Sequence, residues 1–254
     1  MPGNEQNILN FFFKIKDTDI EIKHLGKIVS LKIPFKNQLI EINQDNLDKF
    51  FSDDSSKKAD LYINDIGCSL KQKGGNFPYN RLQRKNMNNF FGKFFNNQKI
   101  INNIIFKIDK KIKLFHLNKI KRNFKFMDVM NENEFKILLK YLMTEGSPNV
   151  GKTSFSAKYI LEAKKDVKSY KDLTIYTFDE YFADKKDNIS FAIRRHWVGQ
   201  KSKSENKRAI GLFKNKENKL WCFNNFVGKP STGWDAKVDA KDRKTTYTLS
   251  IEQK

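Results

Sequence analysis

Asp60, Ser69 and Lys71 are spaced to meet on one face of a two-stranded hairpin. In "ADLYINDIGCSLKQKGG" (59–75), Asn64-Asp65 serves as a two-residue turn, although the glycine favoured at its second position is absent. Pairing then sets Ile63 against Ile66, Leu61 against Cys68, and Asp60 against Ser69. Alternation puts Leu61, Ile63, Cys68 and Leu70 on an apolar face, with Asp60, Ser69, Lys71 and Lys73 on the other. Asp60 and Lys71 become diagonal neighbours, within reach of a shared ligand. An acid beside a lysine on adjacent strands suits metal-assisted phosphodiester cleavage. The carboxylate holds a divalent ion, and the lysine steadies the attacking hydroxide and the developing charge. The same residues also suit an ordinary surface hairpin with solvated charges.

A second stretch, "GSPNVGKTS" (146–154), fits the phosphate-binding pattern G-x-x-x-x-G-K-[ST] through Gly146, Gly151, Lys152 and Thr153. A working P-loop joins a buried strand to a helix. "KTSFSAKYILEAKK" (152–165) reads as that helix, and "LTIYTFDE" (173–180) imitates a strand ending in a magnesium-holding acid. The approach to Gly146 does not fit. "NENEFKILLKYLM" (131–143) has apolar residues at 135, 138, 139 and 142, the helical period. The expectation is a capped connection between two helices, with a P-loop NTPase acting on nucleic acid as the alternative.

The hairpin resembles the PD-(D/E)XK nucleases, and more closely the type II restriction endonucleases. Ala59-Asp60 stands for the Pro-Asp part and Ser69-Leu70-Lys71 for the (D/E)-X-K part. Ser69 departs from the usual second acid, so the resemblance requires a carboxylate from elsewhere, Glu41 or Glu21. It implies a magnesium-dependent, site-specific endonuclease acting on double-stranded DNA. Asp60 and the Leu70 carbonyl would ligate Mg²⁺, and Lys71 would assist the hydroxide. It also implies a cognate DNA methyltransferase as system partner and, for a palindromic target, a two-fold homodimer.

Base-reading candidates follow the hairpin in "NRLQRKN" (80–86): Asn80, Arg81, Gln83 and Arg84, with Lys73 as a backbone contact. "FAIRRHWVGQKSKSENKR" (191–208) adds Arg194, Arg195, His196 and Gln200, and "GKPSTGWD" (228–235) is a Gly/Pro loop. Arginine and glutamine offer paired donors to guanine and adenine edges, whereas lysine contacts to phosphate carry no sequence information. Trp197 and Trp234 read as packing residues.

These residues need a scaffold, and 254 residues are enough for one large domain or two small ones. Residues 7–15 and 20–42 read as strands or mixed elements, 81–95 as a helix, 98–126 as strands, and 172–182 as a segment beginning in a strand. "AIGLF", "KLWCFNNFV" and "TTYTLSIE" make the end of the chain β-rich. The fold class is therefore α/β (α+β with a mixed sheet). A PD-(D/E)XK-like nuclease core occupies 1–130, and a β-rich DNA-recognition region 131–254, with the seam near 127–133.

A net charge of +20, from 49 Lys+Arg against 29 Asp+Glu, points to a polyanionic partner. A non-catalytic nucleic-acid-binding protein would satisfy the charge equally well. No apolar run is long enough to span a bilayer, so no membrane partner is expected. The start of the chain lacks signal-peptide features, and the two cysteines form no metal spacing or disulfide framework. A reducing cytoplasm is the expected location.

Overall fold

Apolar residues at the helical spacing of three and four open the chain. Ile8, Leu9, Phe12 and Ile15 form one buried stripe, so Glu5–Ile15 is a helix (α1) where the sequence suggests strands or mixed elements. The computed structural model describes residues 4–48, 57–74, 78–148, 151–227 and 233–253. After α1 come strands β1 (Leu31–Phe35), β2 (Gln38–Glu41), β3 (Leu61–Ile63), β4 (Ile66–Gln72) and β5 (Pro78–Leu82). Helices α2 (Met87–Phe91) and α3 (Gln98–His116), strand β6 (Asn123–Lys125) and helix α4 (Glu132–Lys140) follow. Next are β7 (Tyr159–Ala163), β8 (Leu173–Thr177), α5 (Phe178–Lys185), β9 (Ile189–Trp197), α6 (Lys203–Lys214) and β10 (Thr245–Gln253). Among the described residues no helix is long and apolar enough to cross a membrane.

The architecture is mixed α/β, in two units, each assembled from two segments. One takes Met1–Phe77 and Leu139–Asp187; the other takes Pro78–Leu138 and Asn188–Lys254. The chain passes between them at 77/78, 138/139 and 187/188, so neither unit coincides with the expected spans 1–130 and 131–254.

The first unit is built on a six-stranded sheet in the order β8-β7-β4-β3-β1-β2. β7 runs parallel to β4; every other neighbouring pair is antiparallel. The hairpin register is the expected one, Leu61 against Cys68 and Ile63 against Ile66. Its two turn residues, Asn64 (φ 49°) and Asp65 (φ 61°), take the left-handed conformation that a tight hairpin demands. The Asn64 side chain also accepts the Val29 amide at 2.8 Å and donates to the Lys27 carbonyl, which offsets the missing glycine. Leu61, Ile63, Cys68 and Leu70 pack into one core with α1, Leu31, Ile33 and Leu161.

The second unit has β10 paired along its length with β9, while β5 pairs with β10 and β6 with the start of β9. Its principal helix, α3, replaces the strands expected over 98–126. Ile101, Ile104, Ile105, Ile108 and Ile112 all fall on its buried stripe. The Asn97 side chain caps it by accepting the Lys99 amide at 2.9 Å. Residues 81–95, expected as one helix, divide into the end of β5, a 3₁₀ turn (Arg84–Asn86) and α2.

A candidate active site on the first unit's hairpin

Asp60 lies just before β3, where its carboxylate turns across to β4 and accepts the Leu70 amide at 2.8 Å. Its own amide donates to the Cys68 carbonyl at 2.9 Å, continuing the hairpin pairing. The N–H and C=O of one strand residue leave by the same edge. The Leu70 carbonyl therefore projects beside the Asp60 carboxylate, past the point where β3 ends. Backbone bonds from Lys58 and Ala59 to the Phe155 carbonyl, 3.0 and 2.9 Å, fix the approach to Asp60.

Lys71 alternates with the core-facing Leu70 and so stands on the opposite face of the sheet, as does the buried Ser69. In the parallel ladder Ile160 lies opposite Ser69 and Glu162 opposite Lys71. Paired residues project to the same side, which gives Lys71 a carboxylate neighbour on β7. Glu162 is 4% exposed. Its Oε2 is 3.2 Å from Lys185 Nζ on α5, and Lys185 also meets Asp184 at 3.0 Å. Burial pushes the Lys185 ammonium down, but its bonds to Asp184 and Glu162 outweigh burial and hold it firmly protonated. Burial, then repulsion from Lys71, pull Lys58 down to about 8, with Asp60 opposing.

Glu162 is the acid that sequence reasoning missed. "YILEA" is buried at all five positions, so it shows no period-two alternation and was absorbed into the helix expected over 152–165. A short run such as Tyr159-Ile160-Leu161, without alternation, marks a strand covered on both faces, and it carries the partial signal here. Glu41 is a correction. It sits on β2, opposite Lys32 at the edge of the sheet and three strands from β4, with its carboxylate 3.8 Å from Lys16. Glu21 belongs to a separate two-residue ladder with Lys27. Lys73 lies beyond β4, exposed, its amide bonded to the Ala163 carbonyl.

The phosphate-loop pattern does not make a phosphate loop. Gly146–Ser147 pairs antiparallel with Gly151–Lys152 as a minimal hairpin, while Asn149 and Val150 lie outside the described residues. A π-helical turn, Tyr141–Glu145, precedes it, and the next regular element is β7, not a helix. The Thr153 hydroxyl accepts the Phe155 amide at 3.1 Å within that connection. A P-loop needs a strand before and a helix after; among the described residues a π-helical turn precedes the pattern and a strand follows it.

The base-reading candidates all fall in the second unit. Arg84 Nε donates to both oxygens of Asp109, at 2.9 and 3.1 Å, beside Trp221 Nε1 at 2.7 Å. His196 is buried between Glu205 and Thr248, each at 2.9 Å, and burial holds its pKa below the usual imidazole value. Gln200 is buried and donates to the Trp197 carbonyl. The Arg195 guanidinium lies 4.8 Å from the Phe115 ring centroid. Arg194 bonds Glu252 at 3.0 Å. Arg81, on β5 opposite Ser250, and Gln83 are half-buried. Asn80 shares that strand, its side chain outside the described set, as are residues 228–232 of the Gly/Pro loop.

Among the described residues no three His, Cys, Asp or Glu side chains cluster to cage a metal. The hairpin itself offers two hard oxygens side by side, the Asp60 carboxylate and the Leu70 carbonyl, and the neighbouring strand β7 carries the Glu162 carboxylate opposite Lys71. That set suits Mg²⁺, which is commonly held by one or two carboxylates and keeps several waters.

No family model matches the chain, and no curated protein matches it. Among solved structures it is similar to the restriction endonuclease MspI in complex with its cognate DNA, at 9% identity and a TM-score of 0.26. The similarity covers 76% of this chain and 64% of that one, so the chain spans less than two thirds of that enzyme's length. A superposition that loose leaves the site to be judged on its own residues.

Proposed function

We propose that the chain is a metal-dependent endonuclease of double-stranded DNA, cutting at the hairpin of the first unit. The observation that supports this reading best is the placement of Asp60 just before β3 beside Lys71 on β4, with the Leu70 carbonyl beside Asp60 and Glu162 opposite Lys71. Asp60, the Leu70 carbonyl and Glu162 would hold Mg²⁺. The bound ion would polarise the scissile phosphate and lower the pKa of a water. Lys71 holds a positive charge where negative charge develops. Lys185 keeps the Glu162 side chain in one orientation, and the Leu70 amide does the same for Asp60. Lys58 adds a second ammonium near Asp60 and Lys71.

The finer reading is a type II, site-specific enzyme of a restriction–modification system, in a reducing cytoplasm, with two copies cutting a palindrome. Arg81, Gln83, Arg194 and Arg195 in the second unit are its DNA-contacting candidates, whereas Arg84, His196 and Gln200 hold that unit together. The test is incubation with mixed plasmid DNA and Mg²⁺ without ATP. Discrete fragments support the reading. Retention of DNA without any cutting selects a binding module, and cutting that requires ATP removes the simple nuclease.

A further inference from the structure

In the second unit β6 covers only Ser190–Ala192 of β9, with the Arg122 carbonyl accepting the Ile193 amide just beyond. From Arg194 to Trp197 that edge of β9 has no strand neighbour among the described residues. A concave hollow of about 510 Å³ opens there, lined among others by Arg81, Arg122, Arg194, Arg195, His196 and Glu205. Its charges do not balance. Glu252 is shared by Arg122 and Arg194, and Glu205 is shared by His196 and Arg208. Arg81 forms no ion pair among the described residues; burial and the facing charges of Arg208 and Arg194 work against its charged form, with Glu205 opposing. Arg195 and Trp197 line its other side, because they alternate onto the opposite face of β9, where the Arg195 guanidinium packs on Phe115 and Tyr247.

We infer that this hollow binds a phosphate group, presented by the backbone of nucleic acid or by a small phosphate ester. A phosphate supplies several acceptor oxygens and up to two negative charges, which match converging guanidinium forks better than a single carboxylate does. The reading of the chain as a DNA endonuclease enters only in making duplex DNA the expected source. The site itself stands on the arginines.

The test uses the full chain with labelled duplexes of random and fixed sequence in Ca²⁺, and separately inorganic phosphate and a deoxynucleoside monophosphate in thermal melts. Arg81→Gln is expected to weaken binding to all duplexes alike by about 5–10-fold, and to flatten the log–log salt dependence by about 0.9. Arg81→Lys keeps the charge and most of the affinity. Unchanged duplex binding, with a phosphate-induced rise in melting temperature that Arg81→Gln abolishes, assigns the site to a small ester and still supports the inference. A loss confined to one base pair, and shared by Arg81→Lys, marks a base reader and overturns it. So does indifference of both variants in both assays. Should Arg81→Gln fail to fold, Arg122→Gln gives the same readings. A chain that cuts no DNA under any metal sinks the nuclease proposal but leaves these binding results standing.

Discussion

Glu162 stands opposite Lys71 in the parallel ladder of β7 and β4, and its carboxylate is 3.2 Å from the Lys185 ammonium. Lys71 thus shares its face of the sheet with an acid from a strand far along the chain. The pair sets a carboxylate from β7 opposite Lys71, whereas Ser69 carries none.

Asp60→Asn, Lys71→Met and Glu162→Gln are each expected to reduce cleavage by at least about 10²-fold with the fold retained. Glu41→Gln, at the sheet edge, leaves cleavage near wild type. Glu162→Gln also leaves Lys185 with only Asp184, and is expected to cost about 1–3 kcal/mol of stability. Single-turnover cleavage with circular dichroism on each variant checks this. Full activity in a folded Asp60→Asn variant removes the hairpin from the chemistry.

Lys152→Ala should leave cleavage unchanged and remove no ATP affinity, because the pattern forms no phosphate loop. Gly146→Ala should destabilise the first unit by about 1–3 kcal/mol, because a Cβ there meets the Gly151 carbonyl and the Tyr141 ring. Isothermal titration with ATP and urea melts decide it. Lys152-dependent nucleotide binding would restore the phosphate-loop reading.

Arg84→Met is expected to cost about 1–3 kcal/mol, since Asp109 keeps only its Trp221 bond in a site where both ionic partners are at most 20% exposed. Sequence preference in DNA binding should not change. A double-mutant cycle between Arg84 and Asp109, read by denaturant melts, measures their coupling. A coupling near zero places Arg84 back among the residues free to meet DNA.

Acid should weaken the first unit. The Lys23 hydrogen bond, then the Thr177 amide, hold the Glu180 carboxyl down at about 2, against an ordinary 4.5. Its folded pKa is below its unfolded one, so the stability it contributes is complete above 4.5 and is lost as pH falls towards 2. Asp172, held at about 2 first by Lys164, acts in the same sense. Glu180→Gln should be less stable than wild type at neutral pH and show a shallower loss below 4.5. Parallel acid titrations of the two proteins, ending with the same slope, would exclude Glu180 as a source.

The hairpin was legible because its information is local. Alternation over Leu61, Ile63, Cys68 and Leu70 and a two-residue turn fix the register with no help from the rest of the chain. The onset of β8 and the long β10 were legible for the same reason. What failed was non-local. In α3 the β-branched isoleucines suggested strands, although their spacing of three and four is helical and tertiary packing on that stripe decides the matter. β7 is buried on both faces, so it carries no alternation to read, and with it the position of Glu162 was hidden. Among the recognition candidates residue type alone was misleading. Arg84 and His196 carry the right donors for DNA, yet Asp109, Glu205 and Thr248 already engage them.

β4 and β7 are parallel neighbours, and the chain between them builds much of the other unit before it returns. The route sets a timetable for biosynthesis. Asp60 and Lys71 leave the ribosome first, and Glu162 follows roughly 5–20 s later at ordinary rates of chain elongation. Until it arrives, β4 has an unpaired edge and Lys71 has no acid opposite it. On the proposed reading, a fragment ending before Glu162 would lack one of its metal-holding carboxylates whatever its affinity for DNA, and cutting would begin late, when the far strand docks.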